Sequence, residues 1–124
     1  MKKILITFLF TVVSLFAFEE LTTDNFQSKI KGKNVIIDFY AVWCPPCKVL
    51  NKKLQEFDII KSDNISIYKV NIDEQLSLAK KYNITKLPSL VYFKDGEAIQ
   101  TIVGIQSAVE LQKSSRKIFE LEQE

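Results

Sequence analysis

The middle of the chain alternates between apolar runs and polar turns, and this pattern predicts alternating strands and helices. Residues 35–41 form an apolar run rich in β-branched and aromatic side chains, which is typical of a buried strand. Residues 47–60 place apolar side chains every three or four positions with lysines between them, which predicts an amphipathic helix. Residues 65–72 alternate apolar and polar positions, as expected for a second strand. Because a helix joins the two strands, we expect them to run parallel with a right-handed crossover.

The flanking segments complete the predicted order α, β, α, β, α, β, β, α. The further elements are a helix at 24–30 capped by a threonine, strands at 89–93 and 98–103, and a closing helix capped by Ser107. Asp73 is expected to cap a short helix that runs to Tyr82, with Leu76, Leu78 and Ala79 pointing inward. A tight turn with glycine joins the last two strands into a hairpin. The predicted fold class is therefore α/β, with a mixed four-stranded sheet and helices on both faces.

Length and charge limit the classes of protein to consider. A chain of 124 residues forms one domain with one core, and we place that domain at residues 18–124 as an expected monomer. The chain has 17 basic and 15 acidic residues. Lys2 and Lys3 are the only charged residues among residues 1–17, so the remainder has 15 of each sign and no net charge. We therefore expect no nucleic-acid partner, because a binding surface for phosphates needs excess positive charge.

The first 17 residues have the pattern of a secretory signal peptide. A short basic start is followed by the apolar run from Ile4 to Phe18, and the sequence then turns abruptly acidic. This run has 15 residues, shorter than the ~20 that a membrane-spanning helix needs. We therefore expect cleavage of residues 1–17 and a periplasmic location, and an uncleaved N-terminal membrane anchor is the alternative.

The candidate chemistry lies between the first strand and the long helix. Cys44 and Cys47 are the only cysteines, and a disulfide that closes so short a loop adds little stability. A structural zinc site usually takes four cysteine or histidine ligands, and this chain has two cysteines and no histidine, which argues strongly against a zinc site in a monomer. We expect no metal and no cofactor in a monomer, although a cluster shared between two subunits stays an alternative. The pair is therefore interpreted as a dithiol/disulfide couple.

The two cysteines are expected to have different tasks. Cys44 falls at a helix N-terminus, where unpaired N–H groups and the helix dipole stabilise a thiolate, so it is the predicted nucleophile. Cys47 lies one turn later, is expected to be more buried, and would resolve the mixed disulfide. Pro45 and Pro46 suit the first turn of a helix and remove two amide donors from it. We expect this pair to set the reduction potential, in a direction that the sequence does not reveal.

A carboxylate within the first strand is the candidate base. Asp38 interrupts an apolar run, and burial there should raise its pKa until it can accept the Cys47 proton. Lys69 on the neighbouring strand is its candidate charge partner. The alternatives are a structural, hydrogen-bonded acid for Asp38 and an ordinary solvated lysine for Lys69.

Together these residues resemble the thioredoxin family over about residues 20–120. The motifs that carry the resemblance are Asp38 ahead of the Cys44–Cys47 pair, the segment 69–73 on the second strand, Leu87-Pro88-Ser89 before the hairpin, and Gly96 and Gly104 within and after it. The resemblance implies a cis peptide bond at Pro88 that leaves the backbone edge at Leu87 free to pair with an extended substrate. It also implies a shallow apolar groove formed by Trp43, Pro88 and Gly104 beside Cys44. The substrate-binding residues are expected to include Pro45, Pro46 and Leu87 as well.

Three positions depart from the common family pattern. Pro45-Pro46 replaces the usual Gly-Pro, Tyr40 replaces a frequent tryptophan, and Lys52 replaces a proline that kinks the helix. These changes and the leader resemble exported relatives, including those that keep cytochrome c precursors reduced. That branch usually has an inserted segment before the cis-proline, which this chain lacks.

The resulting hypothesis is an exported thiol–disulfide oxidoreductase that reduces protein disulfides. Its partners would be client proteins with disulfides and a thiol electron donor, for which the resemblance implies a membrane thiol carrier. Two alternatives stay open, which are the same site acting as a disulfide-forming oxidant and a non-catalytic module that binds partners in the groove.

Overall fold

A computed structural model of the protein describes residues 18–120, and the predicted leader at 1–17 lies outside these residues. The elements in chain order are α1 (Phe26–Ile30), β1 (Asn34–Tyr40), α2 (Pro45–Ile60), β2 (Ile65–Asn71), α3 (Leu76–Lys81), β3 (Ser89–Lys94), β4 (Glu97–Val103) and α4 (Ala108–Ile118). This order is the one that the hydrophobic pattern predicts. Within residues 18–120, no helix is long and apolar enough to cross a bilayer.

The four strands form one mixed sheet in the order β2-β1-β3-β4. β1 runs parallel to β2 and antiparallel to β3, and β4 pairs antiparallel with β3 at the other edge. The register places Asp38 between Lys69 on β2 and Leu90 on β3. The expected α/β class with a mixed four-stranded sheet is confirmed, and β1 occupies a central position in it.

The period-two alternation of β1 divides the core into two layers. Val35, Ile37 and Phe39 lie on the face covered by α1 and α3, in a cluster with Phe26 and Leu78. The other face is covered by α2 and α4, whose Leu50, Leu54, Phe57 and Leu111 pack against it with residues of the sheet that include Ile36 and Tyr92. Because residues 36, 38 and 40 share a face, the carboxyl group of Asp38 is directed beneath α2.

Two predicted helix starts differ from the structure. The expected threonine cap of α1 is replaced by Asn25 at the N-cap position, and the helix begins at Phe26. The short helix expected to follow an Asp73 cap begins at Leu76 instead. The Leu76 side chain, expected to point inward, is exposed. This later start has a local cause. The Asn71 side-chain oxygen accepts hydrogen bonds from the backbone N–H groups of Asp73 and Glu74, and these bonds form a turn before the helix.

We predict that Tyr92→Phe stabilises the protein. Tyr92 is fully buried, burial raises its pKa to about 12, and its hydroxyl has no hydrogen-bond partner within residues 18–120. Removing an unpartnered buried hydroxyl should raise the free energy of unfolding by about 1 kcal/mol. Urea denaturation measures this change, with the half-buried Tyr82→Phe as the matched control. A loss of stability in Tyr92→Phe would mean that the hydroxyl is hydrogen-bonded in solution.

Candidate active site

The paired cysteines lie at the N-terminus of α2. Cys44 is the N-cap residue, and it is joined to Cys47 by a disulfide with a Cα–Cα distance of 5.3 Å. Pro45 and Pro46 occupy the first two helical positions and have no N–H group. The first available amide of the helix is therefore that of Cys47, which donates to the Cys44 sulfur at 3.3 Å. The structure thus provides one backbone donor where a helix without prolines would offer three.

Both cysteines are buried, and the expected difference in exposure is small. Cys44 is 4% exposed and Cys47 is 3% exposed. They pack with Ala41, and the partly buried side chains of Ile72 and Leu87 lie against them. The spacing along the helix predicts that one cysteine is more sheltered, but residues from distant loops cover both.

Asp38 is fully buried on the face of the sheet that α2 covers. It shares a cavity of about 380 Å³ with Cys47, Asn51 and Lys69, and neither of its carboxylate oxygens has a hydrogen-bond partner in the described part of the chain. Burial raises the pKa of Asp38 to about 7, and the positive charge of Lys69 limits the rise. The carboxylate and Cys47, the cysteine expected to resolve the mixed disulfide, thus line one cavity, which fits the expected role of Asp38 as a proton acceptor.

Lys69 lies beside Asp38 in the sheet register, as expected from the sequence. Its ammonium group, however, sits over the ring of Tyr40, with 4.2 Å between Nζ and the ring centroid. No salt bridge links Lys69 to Asp38 in the described structure, and the Asp38 oxygens stay unpaired. Lys69 therefore acts on Asp38 through its charge at a distance rather than through contact.

The loop before β3 lies next to the cysteines. The Leu87–Pro88 peptide bond is cis, as the family resemblance implies, and Leu87 packs against the buried cysteine pair. The Gly104 N–H donates to the carbonyl oxygen of Pro88 at 2.9 Å. Gly104 has a φ of +102°, a conformation that favours glycine over other residues. The structure therefore brings Leu87, Pro88 and Gly104 together, as the predicted groove requires.

Trp43 is 65% exposed immediately before Cys44, which agrees better with a surface role than with core packing. Its indole N–H donates to the Asp73 carboxylate at 2.8 Å. The sequence predicts Asp73 as a helix cap and gives no sign of this hydrogen bond to Trp43. Asp73 stood out in the sequence only as a member of the motif 69–73. Its contact with Trp43 could not be seen there, because 30 positions separate the two residues.

Two other residues near the site were not singled out from the sequence. Asn51 on α2 lines the cavity of Asp38, and its side-chain amide oxygen Oδ1 is buried without a hydrogen-bond partner among residues 18–120. Glu20 accepts a hydrogen bond from the Tyr40 hydroxyl. A polar residue at a core-facing position of the helix was the signal for Asn51. Glu20 had no such signal, since it is part of an acidic pair just after the predicted leader.

A mixed sheet with a disulfide pair at the N-terminus of its long helix defines a thiol–disulfide oxidoreductase, and the comparisons with known proteins name the family. The thioredoxin family model matches residues 17–117. A thioredoxin of Alicyclobacillus acidocaldarius is 36% identical over 93 residues, which cover 74% of this chain and 89% of that protein. A thioredoxin of Bacillus subtilis is 35% identical over 101 residues, which cover 82% and 97%. The chain belongs to the thioredoxin family.

Solved structures agree with this assignment. The structure of chloroplastic thioredoxin z superimposes with a TM-score of 0.74 at 22% identity, covering 83% of this chain and 95% of that one. A chain from a study of the thiol resolving mechanism in yeast mitochondrial 1-Cys peroxiredoxin has a TM-score of 0.73 at 30% identity, covering 82% and 95%. The predicted thioredoxin fold and family membership are confirmed.

We predict that Asp38→Asn makes stability less dependent on pH. A carboxyl group with a raised folded-state pKa favours the folded state when protonated, and this benefit disappears between the unfolded value of 3.8 and the folded value of about 7. The wild type should therefore lose stability over this window and level off above it. The advantage of the variant should grow across the same window, to at most about 4 kcal/mol.

Urea denaturation from pH 4 to pH 8 measures this difference. A constant difference between the two proteins across that range would contradict the prediction, because it would mean that Asp38 titrates alike in the folded and unfolded chains.

Proposed function

We propose that the protein reduces disulfides of client proteins outside the cytosol, through the dithiol/disulfide couple of Cys44 and Cys47. The observation that carries this proposal is the cavity that joins the buried, unpaired Asp38 carboxylate to Cys47 beneath the N-terminus of α2. A proton acceptor at the resolving cysteine serves the step that releases a reduced client.

The first step is attack by Cys44. In the reduced protein the Cys44 thiolate lies at the helix N-terminus and accepts a hydrogen bond from the Cys47 backbone N–H, as the Cys44 sulfur does in the oxidised structure. It forms a bond to one sulfur of the client disulfide, and the other client sulfur leaves as a thiolate with the electron pair of the broken bond. The product is a mixed disulfide between Cys44 and the client.

The second step is resolution by Cys47. Asp38 accepts the Cys47 proton within the shared cavity, and the thiolate attacks the Cys44 sulfur. The Cys44–Cys47 disulfide forms, and the second client sulfur leaves. The client gains two electrons, which a thiol donor must later return to the protein, and a membrane thiol carrier is the donor that suits an exported member of the family.

The client would bind across the surface around Cys44. Leu87 and Pro88 provide the backbone edge, and Trp43, held by Asp73, provides an exposed apolar wall. Val103 and Ile105 flank Gly104 and are about half exposed, at 52% and 48%. Exposed apolar side chains beside a backbone edge form a surface that suits an extended segment of a client.

An insulin reduction assay with dithiothreitol as electron source tests the proposal. The wild type should accelerate insulin precipitation above dithiothreitol alone, and Cys44→Ser should abolish the effect because the attacking thiolate is gone. Asp38→Asn should slow turnover at pH 7 by about 100-fold or more, as expected for the loss of a positioned base. Wild-type activity no greater than that of Cys44→Ser would contradict a reductase.

The direction of electron flow is tested separately. Equilibration with glutathione gives the reduction potential of the pair, and a value above about −150 mV would favour an oxidant instead. Cys47→Ser should accumulate mixed disulfides with clients through Cys44, and the matched control is the variant with both cysteines replaced. Equal recovery of partners by the double variant would favour a non-catalytic binding module.

Export is tested on the mature protein. Residues 1–17 should be absent from the protein recovered from the periplasm of an expressing bacterium, because a basic start and an apolar run direct secretion and cleavage. N-terminal sequencing identifies the first residue. An intact Met1 on a membrane-associated protein would instead support the uncleaved anchor.

A further inference from the structure

The segment that follows the predicted leader pairs with the edge of the sheet beside the active site. The Lys69 N–H donates to the Glu19 carbonyl at 3.0 Å, and the Leu21 N–H donates to the Lys69 carbonyl at 2.8 Å. Glu20 therefore forms a parallel bridge with Lys69, and the buried side chain of Leu21 anchors the segment in the core. Since paired residues share a face, Glu20, Lys69 and Asp38 form one row across the sheet.

Tyr40 lies on the strand of Asp38 and is hydrogen-bonded to Glu20 at the other end of this row. It lies two residues after Asp38 on the same strand and face, and its hydroxyl donates to the Glu20 carboxylate. Its ring lies under the Lys69 ammonium, at 4.2 Å from Nζ to the centroid. A hydrogen bond at the far end of the ring limits its rotation, so the cation over its face has a defined position.

We infer that Tyr40, oriented by Glu20, is a positioning residue that holds the Lys69 ammonium over its ring and out of ion-pair contact with Asp38. The inference rests on the proposed role of Asp38 as the acceptor of the Cys47 proton. An ammonium group in contact with the carboxylate would stabilise its charge and make it a weaker base toward a thiol. At the distance that Tyr40 imposes, the charge of Lys69 reduces the rise in the Asp38 pKa that burial causes, and both carboxylate oxygens stay without a hydrogen-bond partner in the described structure.

Other groups also face Asp38, and the test must keep them constant. From α2, Cys47, Lys48 and Lys52 line the same cavity. β3 contributes Leu90 beside Asp38 and, on the same face, the buried Tyr92, which burial keeps neutral. Tyr40 also packs against the cluster of Ala41, Cys44 and Cys47, so its replacements, leucine and phenylalanine, keep an apolar side chain there. The oxidised cysteines carry no charge in this test, and substitutions at Tyr40 and Lys69 leave the charges of Lys48 and Lys52 in place.

The test is the pKa of the Asp38 carboxyl group, followed by ¹³C NMR in the oxidised full-length chain. In Tyr40→Leu the released ammonium should reach Asp38 and lower its pKa by about 1. Tyr40→Phe keeps the ring and loses the bond to Glu20, so its pKa should fall by about half as much. This second variant preserves the test if the leucine variant does not fold.

The decisive comparison repeats Tyr40→Leu in a protein that also carries Lys69→Met. If Tyr40 acts through Lys69, Tyr40→Leu should leave the Asp38 pKa unchanged within about 0.2 when Lys69 is methionine. An equal fall in both backgrounds would overturn the inference, because it would mean that Tyr40 only shields Asp38 from water. An Asp38 pKa that neither Tyr40 variant changes would also overturn it.

This measurement needs no turnover, so it separates the inference from the proposed function. A protein that fails to reduce insulin but has the expected pKa changes would overturn the function and support the placement of Lys69 by Tyr40.

Discussion

The burial of one unpaired carboxylate is the constraint on which the active site depends. Asp38 lies on the inner strand β1, where both neighbouring strands and α2 exclude water from it. An ionised group in such a place lowers stability unless it is paired or takes up a proton, and Asp38 has the second option near neutral pH. The well-packed apolar layers on both faces of the sheet allow the fold to tolerate this group.

The cysteine pair depends on the same sheet, although its own geometry is set by the helix. β1 ends at Tyr40 and α2 begins at Pro45, so a short connection places Cys44 above the strand that carries Asp38. The two prolines leave the Cys47 amide as the first donor of the helix, and it points to the Cys44 sulfur. One helix turn therefore presents one cysteine at the helix end and the other to the cavity of the carboxylate.

Much of this arrangement could be predicted, because it follows from local pattern. The strand run around Asp38 predicted a buried acid with a raised pKa, and parallel pairing of β1 with β2 predicted Lys69 beside it. The main errors concern the segment around Asp73. Aspartate is a common helix cap, but here the side chain of Asn71 forms a local turn, and the short helix begins later. The Asp73 carboxylate instead accepts a hydrogen bond from Trp43, 30 positions away, which no local pattern indicates.

The sequence alone determined the strand and helix order, the redox pair and the acid beneath it, because hydrophobic period and cysteine spacing are local properties of a chain. Only the tertiary structure decided the hydrogen-bond partners and the burial of the groups at the site. The bonds of Glu20 to Tyr40 and of Trp43 to Asp73 join residues 20 and 30 positions apart. Cys44 and Cys47 are almost equally buried, and two of the side chains packed against them, Ile72 and Leu87, come from distant parts of the sequence. Such contacts depend on which loops the sheet order brings together, and no local pattern encodes that order.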